Sequence, residues 1–376
     1  MNTRHFLRPI SQASRFMLGP WANTANASRQ ISNYTGKTFT LNTGAQIPAI
    51  GCGTFQDKEQ QEGAVLEALK AGVRLIDTAR VYAPRSRYLS SFSTDQGKKA
   101  EVANPDYSYD TESFIGTAIQ KSSVPRDEIF LTTKLWCNSF HPDDVESALD
   151  DSLRDLQTDY VDLFMLHYPC TFARGEDRFP KGEDGLMRMG ETTYVDTWKA
   201  LQEIMKRTGK IKAIGVSNFS QAEVENLIAA GMPPAVHQME VHPFLSQKAF
   251  TAWHKTRGIH VQQFSPLGNM NSFYREVSWS NGRANRGRLL DEPVLHELGA
   301  KYNKSPAQVA LAWGVNHGRS VIPKSTIPWQ IRQNVESVFV LDQEDMEKID
   351  ALNADLRFNT PDEAYRWPLY QGLDGV

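Results

Sequence analysis

The sequence predicts an α/β fold, a (β/α)8 TIM barrel with an N-terminal β-hairpin and large loops at its C-terminal face. Three observations predict it. From residue 38 onward, eight short apolar runs rich in β-formers alternate with amphipathic stretches, the pattern of repeated βα units around a parallel sheet. Two of the intervening stretches open on helix-start signals, Ser220-Gln-Ala-Glu223 and Ser305-Pro-Ala-Gln308, the second with Pro306 at the first helical position. Four of the apolar runs end in polar residues, at the rim where a barrel of this kind carries its chemistry.

In chain order, the hairpin is expected over Phe39–Leu41 and Gln46–Ile50, turning at Asn42-Thr43-Gly44 and plugging one barrel end. The eight strands are expected near Gly51–Thr54, Leu75–Thr78, Ile129–Lys134, Val161–His167, Ala213–Val216, Val236–Glu240, Ile259–Phe264 and Val321–Pro323. After Pro142, the residues Val145, Leu149, Leu153 and Leu156 recur at helical spacing, an apolar stripe that faces the barrel. The chain has 376 residues, and barrels routinely take most of such a length as one domain, so residues 37–376 are read as one unit.

Composition narrows the class. With 40% hydrophobic and 23% charged residues and a formal net charge of −3, nothing points to a nucleic acid or a membrane surface as partner. No apolar run approaches the roughly 20 residues that span a bilayer. Cys52, Cys137 and Cys170 have no metal-ligand spacing and are too few for a disulfide framework, which fits a reducing compartment. Residues 1–36 stand apart: they hold Arg4, Arg8, Arg15 and Arg29, and the first acid is Asp57. That is the composition of a mitochondrial presequence, the other reading being a disordered tail or a misplaced start, so a cytoplasmic or a mitochondrial location is expected.

The polar strand ends are Asp77, Lys134, His167 and the pair Ser217-Asn218. Singly, each is readily a satisfied polar cap; together they suggest a site. A carboxylate, an ammonium and an imidazole at one barrel mouth, with a tyrosine in the loop that follows, make a proton-donating set without a nucleophile or a metal cage. A phenol with a reference pKa of about 10 is a poor acid near neutrality. A lysine ammonium beside it, itself held by a carboxylate, favours the phenolate and makes tyrosine a usable general acid. The imidazole can bond the same substrate oxygen while charge develops on it. Such a set needs a hydride from a cofactor.

Here the sequence resembles the aldo-keto reductase family, through Gly72-Val-Arg-Leu-Ile-Asp-Thr-Ala79, Leu163-Phe-Met-Leu-His-Tyr-Pro169, Gly209-Lys-Ile-Lys-Ala-Ile-Gly-Val-Ser-Asn-Phe219 and Ile322-Pro-Lys-Ser325. The resemblance spans residue 38 to the end. It implies that Asp77, a tyrosine, Lys134 and His167 form a catalytic tetrad, and that NADPH reduces a small-molecule carbonyl. It also implies that Ser217, Asn218 and Gln238 hold the nicotinamide amide, and that Phe264 stacks on its ring where the family usually has tyrosine. Gly53 and Thr54 then lie near the nicotinamide ribose, and Ser265, Leu267 and Gly268 near the pyrophosphate, although Gly268 also reads as a plain turn. Lys324 and Ser325 match contacts to the 2′-phosphate, and Asn334 matches a contact to adenine. A monomer or weak homodimer is implied.

Two departures stand out. The family's arginine six residues beyond the lysine is Gln330, with Gln333 at the neighbouring adenine-side position. Loss of one charge-assisted phosphate contact removes about 1.5 to 3 kcal/mol, which brings NADH into use. The tyrosine motif is also split: Tyr82 has the right spacing after Asp77, but its continuation fits Tyr109-Asp-Thr-Glu112 and Gly116. Removing residues 82–108, 27 residues, restores an unbroken pattern. Segment 83–108 therefore reads either as a retained intron or as a genuine loop at the mouth. Tyr82 is favoured as the catalytic tyrosine, with Tyr109 the other candidate.

Trp136 and Tyr168 follow the catalytic lysine and histidine and are expected to wall an aromatic substrate pocket, the plainer reading being loop packing. Segments 171–197 and 269–287 and the tail after Arg357 complete the rim. Small aldehydes, polyol-related sugars and xenobiotic carbonyls all fit. Two rivals differ in class. One is a dinucleotide-binding sensor or partner subunit whose entrance the insertion disrupts; the other is a barrel isomerase or hydrolase using Asp77 and His167, which would not need Lys324-Ser325.

Overall fold

The computed structural model describes residues 36–81, 111–270 and 286–373. The basic N-terminal segment through residue 35, Tyr82, Tyr109 and the inserted segment 83–108 lie outside the described residues.

Strands β1 (Thr38–Thr40) and β2 (Gln46–Pro48) form the expected hairpin, antiparallel with Phe39 opposite Ile47. Eight strands follow: β3 (Cys52–Gly53), β4 (Leu75–Asp77), β5 (Phe130–Leu135), β6 (Leu163–Leu166), β7 (Ile214–Ser217), β8 (Val236–Glu240), β9 (His260–Phe264) and β10 (Ser320–Val321). They form one sheet in chain order, each parallel to the next. The sheet closes on itself. Ile50 bridges Val321, Val321 N–H donates to Ala49 O at 2.9 Å, and Gly51 N–H donates to Val321 O at 2.8 Å. The architecture is thus the (β/α)8 barrel with its leading hairpin.

Every expected run carries a strand, but β3 and β10 are shorter than read from sequence. Each contributes only two residues to the ladder. Pro323 lacks an N–H and can only accept, from Gly53 N at 3.1 Å, so the seam cannot continue as a regular ladder. Gly53 is needed there for a second reason: a Cβ would sit 3.0 Å from Ile322 O.

The N-terminal half of the barrel is filled by Leu75, Phe130, Leu163, Met165, Ala213, Val236 and Ile322. Leu41 and Ile47 of the hairpin pack onto this group, and the Asn42 side chain donates to Pro234 O at 3.0 Å, so the hairpin stoppers that end. Outside, Val145, Leu149 and Leu153 of helix Pro142–Asp155, with Leu156 at its end, are buried as the stripe predicted. Both capping boxes form, at Ser220 and at Ser305. A third, Thr193 with Asp196, opens helix Tyr194–Thr208; its shorter Asp at the third helical position hid it from the Glu/Gln pattern.

One buried network spans the wall of the barrel. Phe219 N–H donates to His237 Nε2 at 3.2 Å, which leaves the proton on Nδ1 to bond His254 Nε2 at 2.7 Å. His254 Nδ1 then bonds Phe250 O at 2.6 Å. The chain is satisfied only while both rings are neutral, and burial holds His254 down at about 4, partly opposed by the Phe250 bond. Since an unfolded histidine titrates near 6.5, the unfolded chain gains the proton first. Stability is therefore full above about pH 6.5 and is lost as pH falls towards 4. The expected loss from His254 between pH 7 and 5 is on the order of 2 kcal/mol. Urea midpoints at the two pH values measure it. His254→Gln should narrow the difference, and an equal difference in both proteins would refute the assignment.

Candidate active site

The strand ends converge as the sequence suggested. Asp77 closes β4 and Lys134 lies one residue before the end of β5, both almost fully buried. Lys134 Nζ donates to Asp77 Oδ1 at 2.8 Å and to Thr78 O at 2.9 Å. The other carboxylate oxygen accepts from Gln238 Nε2 at 2.6 Å, and that amide group also donates to Gln262 Oε1 at 2.5 Å. Burial draws both partners towards neutrality, the Asp77 carboxyl up and the Lys134 ammonium down, while their mutual attraction pulls each back. The outcome is an ammonium that is held in place yet eased towards giving up a proton.

His167 directly follows β6 and is also buried. Burial first, and the Lys134 charge second, hold its imidazole well below the usual range, so the ring is neutral at physiological pH. Its backbone oxygen accepts from Asn218 Nδ2 at 3.0 Å. Its ring lies nearly parallel to Tyr168, centroids 5.2 Å apart, and meets Trp136 edge-on, also at 5.2 Å. Aromatic packing thus sets the direction in which a ring nitrogen points.

A groove opens beside this cluster. Gly53, Thr54, Ser217, Asn218, Gln238, Phe264, Ser265, Leu267 and Gly268 line its inner part with Asp77, His167 and Tyr168. Its outer part is lined by Lys324, Ser325, Gln330, Gln333 and Asn334, and Leu267, Met270 and Lys324 border both parts. Among the described residues, Gln56, Asp57, Asn218 and Ser265 on this groove adopt positive φ without being glycine, a strained backbone of the kind that gathers at functional sites. Gly268 has φ 60° and donates to Ser265 O at 2.9 Å, so the turn and the groove wall are the same feature. Trp136 packs edge-on against His167 and Tyr168, its Nε1 donating to Arg178 O at 2.7 Å.

The two described ends of the split motif meet at the same mouth. Thr78 and Thr111 hydroxyls are 3.0 Å apart, Arg80 reaches Glu112 at 3.4 Å, and Thr133 donates to Glu112 at 2.6 Å.

Several site residues escaped the sequence reading. Glu240, at the end of β8, accepts from Phe358 N and Asn359 N at 2.7 and 2.9 Å and so ties the tail across the mouth. Arg357 lies over the Tyr370 ring, whose hydroxyl donates to Asn218 Oδ1 at 2.9 Å. Asn359 lines the inner groove. The sequence placed the tail after Arg357 on the rim, but no local pattern marks which of its residues face the groove. Asp57, ion-paired with Lys324, was likewise unmarked.

A buried lysine–aspartate pair, a neutral imidazole and a two-part groove that holds aromatic rings in its inner part and a lysine where the parts join have room for a small molecule and an extended one. Residues 42–354 match the Aldo/keto reductase family. The chain is 39% identical over 324 residues to aldo-keto reductase family 1 member A1 of Sus scrofa, covering 85% of this chain and 90% of that protein. It is 35% identical to an uncharacterized oxidoreductase of Schizosaccharomyces pombe, over 92% of this chain and 97% of that one. The aldose reductase structure from Schistosoma japonicum superposes with a TM-score of 0.74 at 26% identity, covering 89% of this chain and 98% of that one. By sequence and by fold, then, this chain belongs to the aldo/keto reductase family and is an NAD(P)H-dependent oxidoreductase acting on carbonyl compounds.

Proposed function

We propose that the chain reduces an aldehyde or ketone to an alcohol, using NADPH and a tyrosine as proton donor. The observation that carries this reading is the buried Lys134–Asp77 pair, 2.8 Å apart and opening onto the same groove as His167. When bound, the reduced nicotinamide supplies hydride to the carbonyl carbon. Ser217, Asn218 and Gln238 would hold its amide, Phe264 its ring, Gly53 and Thr54 its ribose, and Ser265, Leu267 and Gly268 the pyrophosphate. Lys324, Ser325, Gln330 and Asn334 would take the adenosine end.

Tyr82 is the proposed acid and Tyr109 its rival. Each lies within two residues of a described chain end, Val81 or Thr111, and those ends flank the Asp77–Lys134 pair. Next to Lys134 a phenolate is favoured, so the phenol releases its proton to the developing alkoxide. The neutral His167 orients the carbonyl oxygen and is not the proton source. Trp136 and Tyr168 are the proposed walls of an aromatic substrate pocket. Residues 37–376 are proposed as one barrel domain that works as a monomer or weak homodimer on sugar, polyol-related or xenobiotic carbonyls, in the cytoplasm or mitochondrion.

Purified protein with NADPH and an aromatic aldehyde, an aldose or a dihydroxyacetone-type ketone should show substrate-dependent loss of the reduced-nicotinamide absorbance. Dinucleotide binding without turnover of any such carbonyl would overturn the reading. Lys134→Met should lower kcat by roughly 10²- to 10⁴-fold, the usual worth of general acid catalysis, with cofactor affinity nearly unchanged. Tyr82→Phe should do the same. Loss confined to Tyr109→Phe would move the acid to Tyr109, and full activity in both would sink the tyrosine mechanism.

A further inference from the structure

The described lining of the outer groove has little positive charge to spare. Among its described lining residues, Lys324 is the one cation and Asp57 the one anion, and the two form an ion pair. Gln330 Oε1 accepts the Ser325 hydroxyl proton at 2.7 Å, and Ser325 Oγ in turn accepts from Ile327 N at 3.0 Å. Arg332, on the same helix as Gln330, pairs with Glu67 instead of facing the groove. Lys324 and Ser325, the described groups suited to a 2′-phosphate, are thus already engaged within the protein.

Resting on the reading of this groove as the coenzyme site, we propose that Asp57 is a specificity-determining residue that makes the enzyme accept NADH alongside NADPH. A 2′-phosphate must displace the Asp57 carboxylate from Lys324 and then sit beside that carboxylate, a like charge. A 2′-hydroxyl meets neither cost, and a carboxylate is the group that commonly accepts hydrogen bonds from ribose hydroxyls, whereas an arginine commonly donates to a 2′-phosphate. Gln330 removes the second positive charge that would have outweighed Asp57. Lys324 therefore reads as an NADPH marker in sequence but acts as half of a neutral pair in the fold.

The pair contributes little to folding, because Asp57 is 45% and Lys324 21% exposed at the side chain. Asp57 precedes helix Lys58–Lys70 with φ 50° and makes no side-chain cap bond, and asparagine tolerates that left-handed backbone equally well. Asp57→Asn thus removes the charge and keeps the shape.

The test is direct titration of the full-length protein with NADPH and with NADH, followed by quenching of protein fluorescence. The wild type should bind the two within about tenfold of each other, about 1.4 kcal/mol. Asp57→Asn should tighten NADPH about tenfold and leave NADH within about twofold, and adding Lys324→Ala should erase that gain. An unmoved ratio, or a gain that survives Lys324→Ala, overturns the role of Asp57 while leaving the reductase reading intact. Failure of the wild type to bind either dinucleotide overturns both.

Discussion

An ammonium and a carboxylate buried together lose their hydration, and in a low-dielectric interior that loss is recovered only if every remaining donor and acceptor is met. Around Lys134 and Asp77 most of it is met. Thr78 O takes a second lysine proton, Gln238 fills the second carboxylate oxygen, and Gln262 steadies Gln238. These partners come from β4, β5, β8 and β9, so the pair can exist only inside a closed sheet. The hairpin that stoppers one end and the tail tied down by Glu240 at the other keep it dry.

Function follows from that constraint. A removed partner would leave one charge buried without compensation, so the pair is held together, and its field acts on whatever enters the mouth. It disfavours a charged imidazole, which helps keep His167 neutral, and it would favour a phenolate placed beside Lys134. The same groove extends outward to Lys324, where the charge arrangement reverses: an exposed, easily opened pair replaces a buried, fixed one.

What was legible in the sequence was whatever is local or periodic. Strand runs, the helical stripe after Pro142 and the capping boxes at Ser220 and Ser305 depend on neighbours a few residues away. The polar strand ends were legible because barrel topology brings every strand's end to one rim, so Asp77, Lys134, His167 and Ser217 could be grouped before any distance was known. Contacts made at long range were not. Tyr370 on Asn218 spans 152 residues, and Asp57 on Lys324 spans 267, and neither leaves a mark in its own segment. Trp136 illustrates the intermediate case: its proximity to Lys134 placed it near the site, while its edge-on packing on His167 is visible only in the fold.

On the proposed reading, the Lys134–Asp77 pair makes one phenol at the barrel mouth unusually acidic. Ultraviolet difference titration of tyrosine ionisation tests it most directly, comparing wild type with Lys134→Met, Tyr82→Phe and Tyr109→Phe. One phenol should ionise below the ordinary value of about 10 in the wild type, be missing from one tyrosine variant and move upward in Lys134→Met. Superimposable titrations of wild type and Lys134→Met would contradict it.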